Sequence, residues 1–354
     1  MKILYVSRSW TQHDQRFVAA WAALGADVDH ASVDSIEGLG PLDAASPRFG
    51  SQLAAHLRQF MPDVVHAGPL CDVAPVVANV WDGPLIAMSW GFDLMSEVEL
   101  DTDACCRAKR VIARADRLVI DNDAPRNRAI ALGALPSRIV QFPWGVDIEI
   151  FSPGVSALRR SLGWGPHLRV VLCTRRHEEV YGVELVIDAF VIAARQSNCL
   201  RLILAGGGSL TKLYKDLVRI AGMQDRVVFL GELDQQRLAD AYRSADLYVS
   251  ASHVDGTSIS LLEAMATGVP VCVSNIPGNA EWVNGGTGIT FADGAIDELT
   301  GVLQKFASGQ LEGELPRRVA TAMEVVRRRA NWQQIIKELL QVADAAIIEN
   351  RRRS

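Results

Sequence analysis

The chain has 354 residues, of which 49% are hydrophobic and 22% charged, and its formal net charge is −5. This composition is typical of a globular protein with room for two domains, and it excludes extensive disorder. The negative charge gives no overall attraction to nucleic acid, so we expect no nucleic-acid partner. Six cysteines without Cys-x-x-Cys spacing predict reduced thiols and no structural zinc site.

The N-terminal segment Met1–Val6 is strand-like and turns polar at Ser7 and Arg8, so it lacks the apolar length of a signal peptide. No later segment offers the ~20 uninterrupted apolar residues that a membrane span needs. We therefore expect a cytoplasmic protein.

In the first half, short apolar segments alternate with helical patterns, which is typical of a parallel sheet wound by right-handed crossovers. The predicted strands are Lys2–Val6, Val64–His66, Leu85–Ser89, Leu118–Asp121 and Ile139–Phe142. The predicted helices are Asp14–Leu24, Gln52–Phe60, Asp103–Ala115 and Ala124–Leu132. Turn-forming residues after Phe142 indicate a linker, and we predict that the first domain covers residues 1–148.

The third of these helical segments carries basic residues at helical spacing. They are Arg107, Arg110, Arg114 and Arg117, with Lys109 beside them. Most such stripes are only solvated faces. The alternative is a peripheral contact with anionic lipid at the inner face of a membrane.

The second half shows the same alternation of apolar strands and helical patterns, and we predict a second domain over residues 149–330. Its predicted strands are Val170–Thr174, Leu200–Ala205, Val227–Leu230, Leu247–Ser250 and Pro270–Ser274, with helices at Val183–Arg195, Leu210–Ala221, Gln235–Ser244 and Ile259–Thr267. Residues 331–354 contain an amphipathic helix, Trp332–Asn350, which we expect to pack toward the first domain. The arginines at 351–353 would complement the C-terminus of that helix. The pattern predicts an α/β protein with two doubly wound domains that face each other across a cleft.

Two acids, Asp255 and Glu263, follow the strand Leu247–Ser250. A tight turn and a Ser258 cap precede the predicted helix Ile259–Thr267, so a helix N-terminus that attracts phosphate lies between the two carboxylates. Carboxylates on either side can accept hydrogen bonds from sugar hydroxyls. This arrangement favours a sugar-nucleotide site. The alternative is that Asp255 caps the helix and Glu263 is a solvated surface acid.

A glycine run, Gly206–Gly208, follows the strand Leu200–Ala205. Glycines there let the backbone approach a ligand closely, although a plain strand-to-helix turn explains them about as well. The run does not spell Gly-x-Gly-x-x-Gly, because Thr211 stands at the sixth position. No first strand leads into that motif either, so a nicotinamide-dependent dehydrogenase is disfavoured.

Several segments in order resemble glycosyltransferase family 4, whose members are retaining enzymes of the GT-B fold that use nucleotide-activated sugars. The resemblance rests on Ala205–Gly208, Arg226–Gly231, Tyr242–Tyr248, the acidic motif Asp255–Pro270 and the linker Pro143–Asp147. It covers nearly the whole chain. It implies that the first domain binds the acceptor and the second the nucleotide-sugar donor.

The resemblance also implies roles for donor-side residues. Glu263 would hold the ribose, Asp255 would approach the donor sugar, and Arg175 would neutralise the departing diphosphate. Backbone groups near the donor would come from Gly256, Thr257, Ser258, Gly206, Gly207, Gly231 and Glu232, the last two close to the base. The alternative for Arg175 is a surface salt bridge with Glu178 or Glu179.

In the first domain, the resemblance implies residues near the acceptor or the reacting sugar. They are His13, Asp14 and Arg16 after the first strand, Trp90, Gly91 and Asp93 after a later strand, and Trp144 in the linker. His13 and Asp14 are grouped with Asp255 and Arg175 as candidate catalytic residues. As alternatives, His13 and Asp14 cap the following helix, and Trp90 and Trp144 are core aromatics.

The sequence departs from the family pattern in three places. The first acid is Asp255 where the family more often has Glu. Tyr181 precedes Gly182 where a lysine is usual, so Arg176 or Lys212 is expected to meet part of the diphosphate charge. Trp90 stands where many members carry a histidine, and the usual glycine pair after the first strand is missing.

The resulting expectation is a metal-independent, retaining glycosyltransferase without a cofactor. It would move a sugar from a nucleotide-diphosphate sugar to a hydroxyl of a glycan, a lipid-linked or a small-molecule acceptor. Two alternatives remain, namely a sugar-nucleotide epimerase or hydrolase of the same fold and a non-catalytic sugar-nucleotide-binding subunit. The sequence leaves the oligomeric state open.

Overall fold

The computed structural model describes residues 1–353. The chain divides into two compact units, which we call unit 1 and unit 2. Unit 1 contains Met1–Pro143 and the C-terminal segment from Gln333 onward, and unit 2 contains Trp144–Trp332. The division falls between Pro143 and Trp144, a few residues before the predicted boundary at 148.

Unit 1 is built on a six-stranded parallel sheet with the strand order β2-β1-β3-β4-β5-β6. The strands are β1 (Lys2–Ser7), β2 (Asp27–Ser32), β3 (Val64–Ala67), β4 (Leu85–Met88), β5 (Arg117–Ile120) and β6 (Ile139–Gln141). The helices are α1 (Gln12–Ala23), α2 (Pro47–Phe60), α3 (Val73–Val80), α4 (Val98–Leu100), α5 (Thr102–Arg114) and α6 (Asp123–Ala131), with the C-terminal helix given below. β2 is added on one side of β1, and β3 to β6 are added on the other side.

Three elements of unit 1 were not predicted from the sequence, namely β2, α3 and the short α4. β2 is an edge strand whose sequence, Asp-Val-Asp-His-Ala-Ser, carries polar residues, so it does not read as an apolar segment. α3 is the opposite case. Nearly all of its residues are apolar, so no polar face with helical spacing marks the segment as a helix. Its Val73 and Val77 are fully buried.

Unit 2 contains a second six-stranded parallel sheet, with the order β12-β11-β10-β7-β8-β9. Its strands are β7 (Arg169–Cys173), β8 (Leu200–Ala205), β9 (Val227–Gly231), β10 (Leu247–Ser250), β11 (Val271–Ser274) and β12 (Ile289–Phe291). Its helices are α7 (Leu158–Ser161), α8 (Val183–Gln196), α9 (Thr211–Ile220), α10 (Gln235–Ser244), α11 (Ile259–Thr267), α12 (Pro277–Ala280), α13 (Ile296–Ala307) and α14 (Leu315–Arg329). The sequence predicted this unit closely up to β11 but assigned no element between Asn275 and Asn331.

The predicted basic stripe is not a single helical face. α5 ends at Arg114, and Arg117 lies on β5. Arg114 donates to the carbonyl oxygens of Trp81 and Gly83 at 2.9 and 2.7 Å. Arg107 donates to the carbonyl oxygen of Cys71 at 2.7 Å. These arginines therefore hold neighbouring loops of unit 1.

The C-terminal helix α15 (Trp332–Arg353) returns the chain to unit 1. The three arginines at 351–353 lie in its last turn, where they were predicted, and the last of them also binds the end of α5. Arg353 donates to the carbonyl oxygens of Arg114 and Ala115 at 2.9 and 3.2 Å and pairs with Asp116. The Asp116 side chain has no exposed surface, and it also accepts a hydrogen bond from the Leu85 amide at 2.9 Å.

None of the helices within residues 1–353 combines the length and the apolar character that crossing a bilayer would require.

His66, on β3, is buried in an aromatic cluster of unit 1. The indole of Trp21 donates to its Nδ1 at 3.2 Å, and the rings of Tyr5 and Phe17 pack edge-on against it at 5.2 and 5.6 Å. Because Nδ1 accepts, the proton of the neutral ring sits on Nε2. Burial lowers the pKa of His66 to about 3. His66 is therefore a packing histidine.

Asp116→Ala should destabilise unit 1, because it leaves the Leu85 amide without its acceptor and removes the carboxylate partner of Arg353. We expect a loss of about 2–4 kcal/mol in the free energy of unfolding. Urea denaturation followed by circular dichroism measures it. Asp344→Ala, at an exposed position of α15, is the matched control and should change little. Equal stabilities of the two variants would contradict the role of Asp116.

The stability of unit 1 should fall as the pH drops below about 6.5, because below that pH the unfolded state binds a proton on the His66 ring and the folded state does not. Above that pH the stabilising contribution of neutral His66 is fully present. As the pH falls further, this contribution is lost progressively until the pH reaches the folded-state pKa of about 3. His66→Gln should make the loss of unfolding free energy between pH 7 and pH 5 smaller by about 2 kcal/mol. Urea titrations at both pH values measure it, with exposed His167→Gln as the control. A native-state NMR titration that shows His66 protonating near pH 6 would contradict the prediction.

Candidate functional site

The strand order of unit 2 places a topological switch point between β7 and β10. From β7 the chain first moves outward through β8 and β9, and then returns to β10 on the other side. Ligands of doubly wound sheets bind outside the carboxyl ends of the strands at such a point. The segment after β7 begins with Thr174 and Arg175, and the segment after β10 contains Asp255. The sequence-predicted residues therefore meet at this edge.

Arg175 joins the two segments. Its Nη2 donates to Asp255 Oδ2 at 2.7 Å, and its Nη1 donates to the hydroxyls of Ser258 and Ser260 at 2.8 and 2.9 Å. The predicted alternative, a surface pair with Glu178 or Glu179, is wrong. Glu178 instead accepts from the amide and hydroxyl of Ser209.

The guanidinium of Arg175 is nearly enclosed, with 9% of the residue exposed. The ring of Tyr181 covers one side, with its centroid 4.3 Å from the guanidinium carbon. Burial acts to lower the pKa of Arg175, but the charge of Asp255 outweighs it and the pKa is raised. The side chain is therefore a permanent cation, held by one carboxylate and one aromatic face.

Among the described residues, the Nε of Arg175 is buried and has no hydrogen-bond partner. A guanidinium has five N–H groups, and the contacts to Asp255, Ser258 and Ser260 use three of them. The Nε–H and one Nη2–H therefore remain for an additional acceptor. Such a pair of donors suits two oxygens of one phosphate.

The N-terminus of α11 faces the same group of residues. Ser258 is the N-cap residue, as predicted, but its side chain does not cap the helix because its hydroxyl accepts from Arg175. The first amides of the helix, which have no acceptor within it, add positive potential at this point. Gly278 lets α12 approach the loop closely, since a Cβ there would lie 2.2 Å from the carbonyl oxygen of Gly256.

Glu263 lies in the second turn of α11 and is half-buried. Its neighbours Leu262 and Ala264 have no exposed surface, so the carboxylate needs polar partners. One of them is the hydroxyl of Tyr242 on α10, which donates to Glu263 Oε2 at 3.0 Å. Glu263 is therefore not a solvated surface acid.

The glycine turn after β8 packs against the Arg175 segment. The amide of Gly206 donates to the carbonyl oxygen of Gly231 at 2.7 Å, and Gly207 accepts from the His177 amide at 2.9 Å. A Cβ on Gly206, whose φ is +124°, would lie 2.9 Å from the carbonyl oxygen of Arg175. Glycine is thus needed there to bring two backbone segments together, whatever contact a ligand makes.

Three further predicted donor-side residues lie at the surface. Arg176, Lys212 and Glu232 are exposed, whereas Thr257 is buried beside the acidic loop. The side chain that packs on the guanidinium of Arg175 is Tyr181.

In unit 1, His13 and Arg16 lie in the first turns of α1, after β1, and Trp90 and Gly91 follow β4. The rings of His13 and Trp90 pack at 5.3 Å, so this predicted pair does meet. Burial, with a further contribution from Arg16, lowers the pKa of His13 to about 3. His13 is therefore neutral at physiological pH. Gly91 has a φ of +84°, in the left-handed region.

Two acids predicted near a ligand in unit 1 have no exposed surface, Asp14 and Asp93. Asp14 forms a capping box with Thr11, accepting from its amide at 2.8 Å, and also accepts from the Tyr5 hydroxyl at 3.2 Å. The alternative role as a helix cap is thus correct for Asp14.

Asp93 accepts from the Leu70 and Leu94 amides at 2.8 and 2.9 Å and from the Ser89 hydroxyl at 2.6 Å. It therefore organises the loops after β3 and β4. Burial raises the pKa of Asp14 and of Asp93. Trp144 belongs to unit 2 and is 4% exposed, as expected of a core aromatic.

Within residues 1–353, no group of three or more His, Cys, Asp or Glu side chains is arranged to hold a metal ion. All six cysteines are free thiols, three of them buried.

Five residues that contact the site side chains, or each other beside them, were not predicted for that role from the sequence, namely Thr174, Tyr181, Tyr242, Tyr248 and Ser260. The Tyr248 hydroxyl donates to Ser260 Oγ at 2.9 Å, next to Arg175. A tyrosine in an apolar segment reads as a core residue. The available signal is that a buried hydroxyl needs a partner, and the acidic motif that follows β10 offers several polar side chains.

Comparisons with known proteins agree with this architecture. Residues 155–324 match the family model of glycosyl transferases group 1. D-inositol 3-phosphate glycosyltransferase of Gordonia bronchialis is 30% identical over 209 residues, which cover 56% of this chain and 46% of that protein. Mannosylfructose-phosphate synthase of Agrobacterium fabrum is 30% identical over 231 residues, covering 62% and 49%. The chain spans about half the length of the curated relatives it matches.

A solved structure, HepE of Anabaena in complex with UDP and glucose, superimposes with a TM-score of 0.81 at 18% identity. The match covers 98% of this chain and 100% of that one. At this identity the likeness establishes the fold. The match to the glycosyl transferases group 1 thus falls within unit 2, and the two six-stranded sheets together with the structural likeness show the GT-B fold.

Proposed function

We propose that the protein is a retaining glycosyltransferase that moves a sugar from a nucleotide-diphosphate sugar to an acceptor hydroxyl without a metal ion. The observation that carries the proposal is the group formed by Arg175, Asp255 and Glu263 around the N-terminus of α11, at the switch point of unit 2. Helix N-termini and arginine favour phosphate, and carboxylates favour sugar hydroxyls.

The donor diphosphate would lie against Arg175 and the first amides of α11. When the bond between the anomeric carbon and the β-phosphate oxygen breaks, negative charge grows on that oxygen. The remaining Nε–H and Nη2–H of Arg175 would stabilise this charge, which is the largest available contribution when the leaving group is already good. Arg176 and Lys212, both exposed, would neutralise the rest of the diphosphate.

Glu263 would accept hydrogen bonds from the ribose hydroxyls, and Asp255 from hydroxyls of the donor sugar. The Asp255 side chain is 18% exposed and binds Arg175 through Oδ2. Because the same carboxylate orients the arginine and faces the sugar, it would fix the distance between the sugar and the phosphate. Positioning of this kind is a main source of rate in transfer reactions.

On the acceptor side, His13, Arg16, Trp90 and Gly91 remain the candidate contacts in unit 1. A histidine with a pKa of about 3 is a weak base at physiological pH, so His13 is suited to accept a hydrogen bond from a hydroxyl and poorly suited to take its proton. The departing phosphate oxygen would take that proton instead. The acceptor oxygen would attack from the face that the diphosphate leaves, and the product keeps the anomeric configuration.

UDP-sugars are the first donors to test, because a structural neighbour binds UDP and glucose. Two alternatives remain testable with the same material. Epimerised or free sugar formed quickly without an acceptor would favour an epimerase or hydrolase. Tight nucleotide binding without turnover across a broad acceptor panel would favour a non-catalytic binding subunit.

Arg175→Gln and Glu263→Gln should each lower turnover of the donor by about 10²–10³-fold, since the first removes the charge that faces the diphosphate and the second replaces the charged acceptor of the ribose hydroxyls with a neutral amide. The measurement is UDP release in the presence of an acceptor, with circular dichroism to check folding. Arg327→Gln and Glu324→Gln, on the exposed face of α14, are the matched controls. Near-normal turnover in both site variants would defeat the assignment.

The product should keep the anomeric configuration of the donor, and turnover should be unchanged by EDTA. Proton NMR of the product at early times reads the configuration from the coupling of the anomeric proton. Inversion would exclude attack from the leaving-group face. Loss of activity in EDTA, restored by a divalent cation, would exclude the metal-independent mechanism.

A further inference from the structure

The hydroxyl of Tyr242 is placed between the two halves of the proposed donor site. Tyr242 lies on α10 and has no exposed surface. Its oxygen is 2.9 Å from Thr174 Oγ1, which precedes Arg175, and 3.0 Å from Glu263 Oε2 on α11. One buried hydroxyl thus connects the end of β7 to the acid expected to hold the nucleotide ribose.

The direction of these hydrogen bonds follows from counting protons. Burial, together with the charge of Glu263, raises the pKa of Tyr242 well above its ordinary value, so the phenol keeps its one proton. Two acceptors lie within reach, Glu263 Oε2 and the Ser260 carbonyl oxygen at 2.9 Å. The Ser260 carbonyl already accepts from the amide four residues later in α11, so the charged carboxylate is the stronger acceptor for the phenol proton. Thr174 can donate its own proton to the phenol oxygen.

The neighbouring tyrosine does not duplicate this contact. Tyr248 donates to Ser260 Oγ at 2.9 Å, and that oxygen also accepts from Arg175 Nη1. Tyr248 therefore supports the arginine, whereas Tyr242 supports the glutamate. The two rings pack at 5.9 Å in the core of unit 2, which fixes both hydroxyls relative to each other.

We propose that Tyr242 is a positioning residue for donor binding, which holds the Glu263 carboxylate in the orientation that meets the ribose. It does not touch the donor itself. This inference rests on the proposed function, because it assigns Glu263 to the ribose. Removing a side chain that orients a ligand-binding group typically changes affinity about 10–100-fold, as it does for the residues that hydrogen-bond to the ligands of metal sites.

The test compares Tyr242→Phe, Glu263→Gln and the double variant. The probe is whichever of UDP, GDP and ADP binds the unmodified protein most tightly by calorimetry. Tyr242→Phe should weaken binding about 10-fold, and raise KM for the matching nucleotide sugar while kcat changes less than 3-fold. The double variant should bind no more weakly than Glu263→Gln alone, because the hydroxyl acts through that carboxylate. Tyr214→Phe, a buried tyrosine elsewhere in unit 2, is the control and should bind normally.

Binding of Tyr242→Phe within 2-fold of the unmodified protein would overturn the inference. So would additive losses in the double variant, or a fall in kcat without a change in KM. If the unmodified protein binds none of the three nucleotides, the proposed function fails. The positioning contact is then judged separately by thermal unfolding of the four ligand-free proteins, where non-additive midpoint shifts support the coupling and additive shifts refute it.

Discussion

A buried positive charge has to be neutralised within hydrogen-bonding distance, and Arg175 imposes this condition on the carboxyl edge of unit 2. Meeting it brings together two segments that are far apart in sequence. The segment after β7 supplies the guanidinium and Tyr181, and the loop after β10 supplies Asp255. The start of α11 supplies two serine hydroxyls. The positions of the acidic motif and of the helix N-terminus are consequences of this one pairing.

The edge of unit 1 is built on the opposite principle. Its carboxylates at positions 14 and 93 are used up in internal hydrogen bonds, and its histidines at 13 and 66 are neutral. Aromatic rings fill the space between these groups. The cations assigned to the diphosphate, Arg175, Arg176 and Lys212, all lie in unit 2. This division fits the proposed roles, in which unit 2 handles the departing diphosphate and unit 1 offers a weakly polar surface to an acceptor.

Much of this arrangement was predictable from the sequence. The fold class, the strands of unit 2 up to β11 and the two acids of the motif were found because apolar strands, capped helices and turn glycines leave local patterns. The edge strand Asp27–Ser32 and the helix Val73–Val80 lack such patterns and were missed.

Partner choice was the harder problem. Arg175 was predicted to pair with Glu178 or Glu179 if it did not bind a ligand, because local sequence offers those acids first, whereas the fold supplies Asp255, 80 positions away. Acids after strands look alike in sequence, so the buried carboxylates at 14 and 93 could not be told from the partly exposed one at 255. Only the packing of their loops separates them.

The C-terminal helix gives unit 1 a discontinuous sequence, whereas unit 2 is one uninterrupted segment. A ribosome delivers the chain from its N-terminus, so the sheet of unit 1 emerges before unit 2 but lacks α15 until unit 2 has also been synthesised. Throughout that interval the carboxylate at position 116 lacks Arg353, its partner from the last turn of α15. Unit 2 meets no such delay, and it is the part that can reach its native state while still tethered to the ribosome.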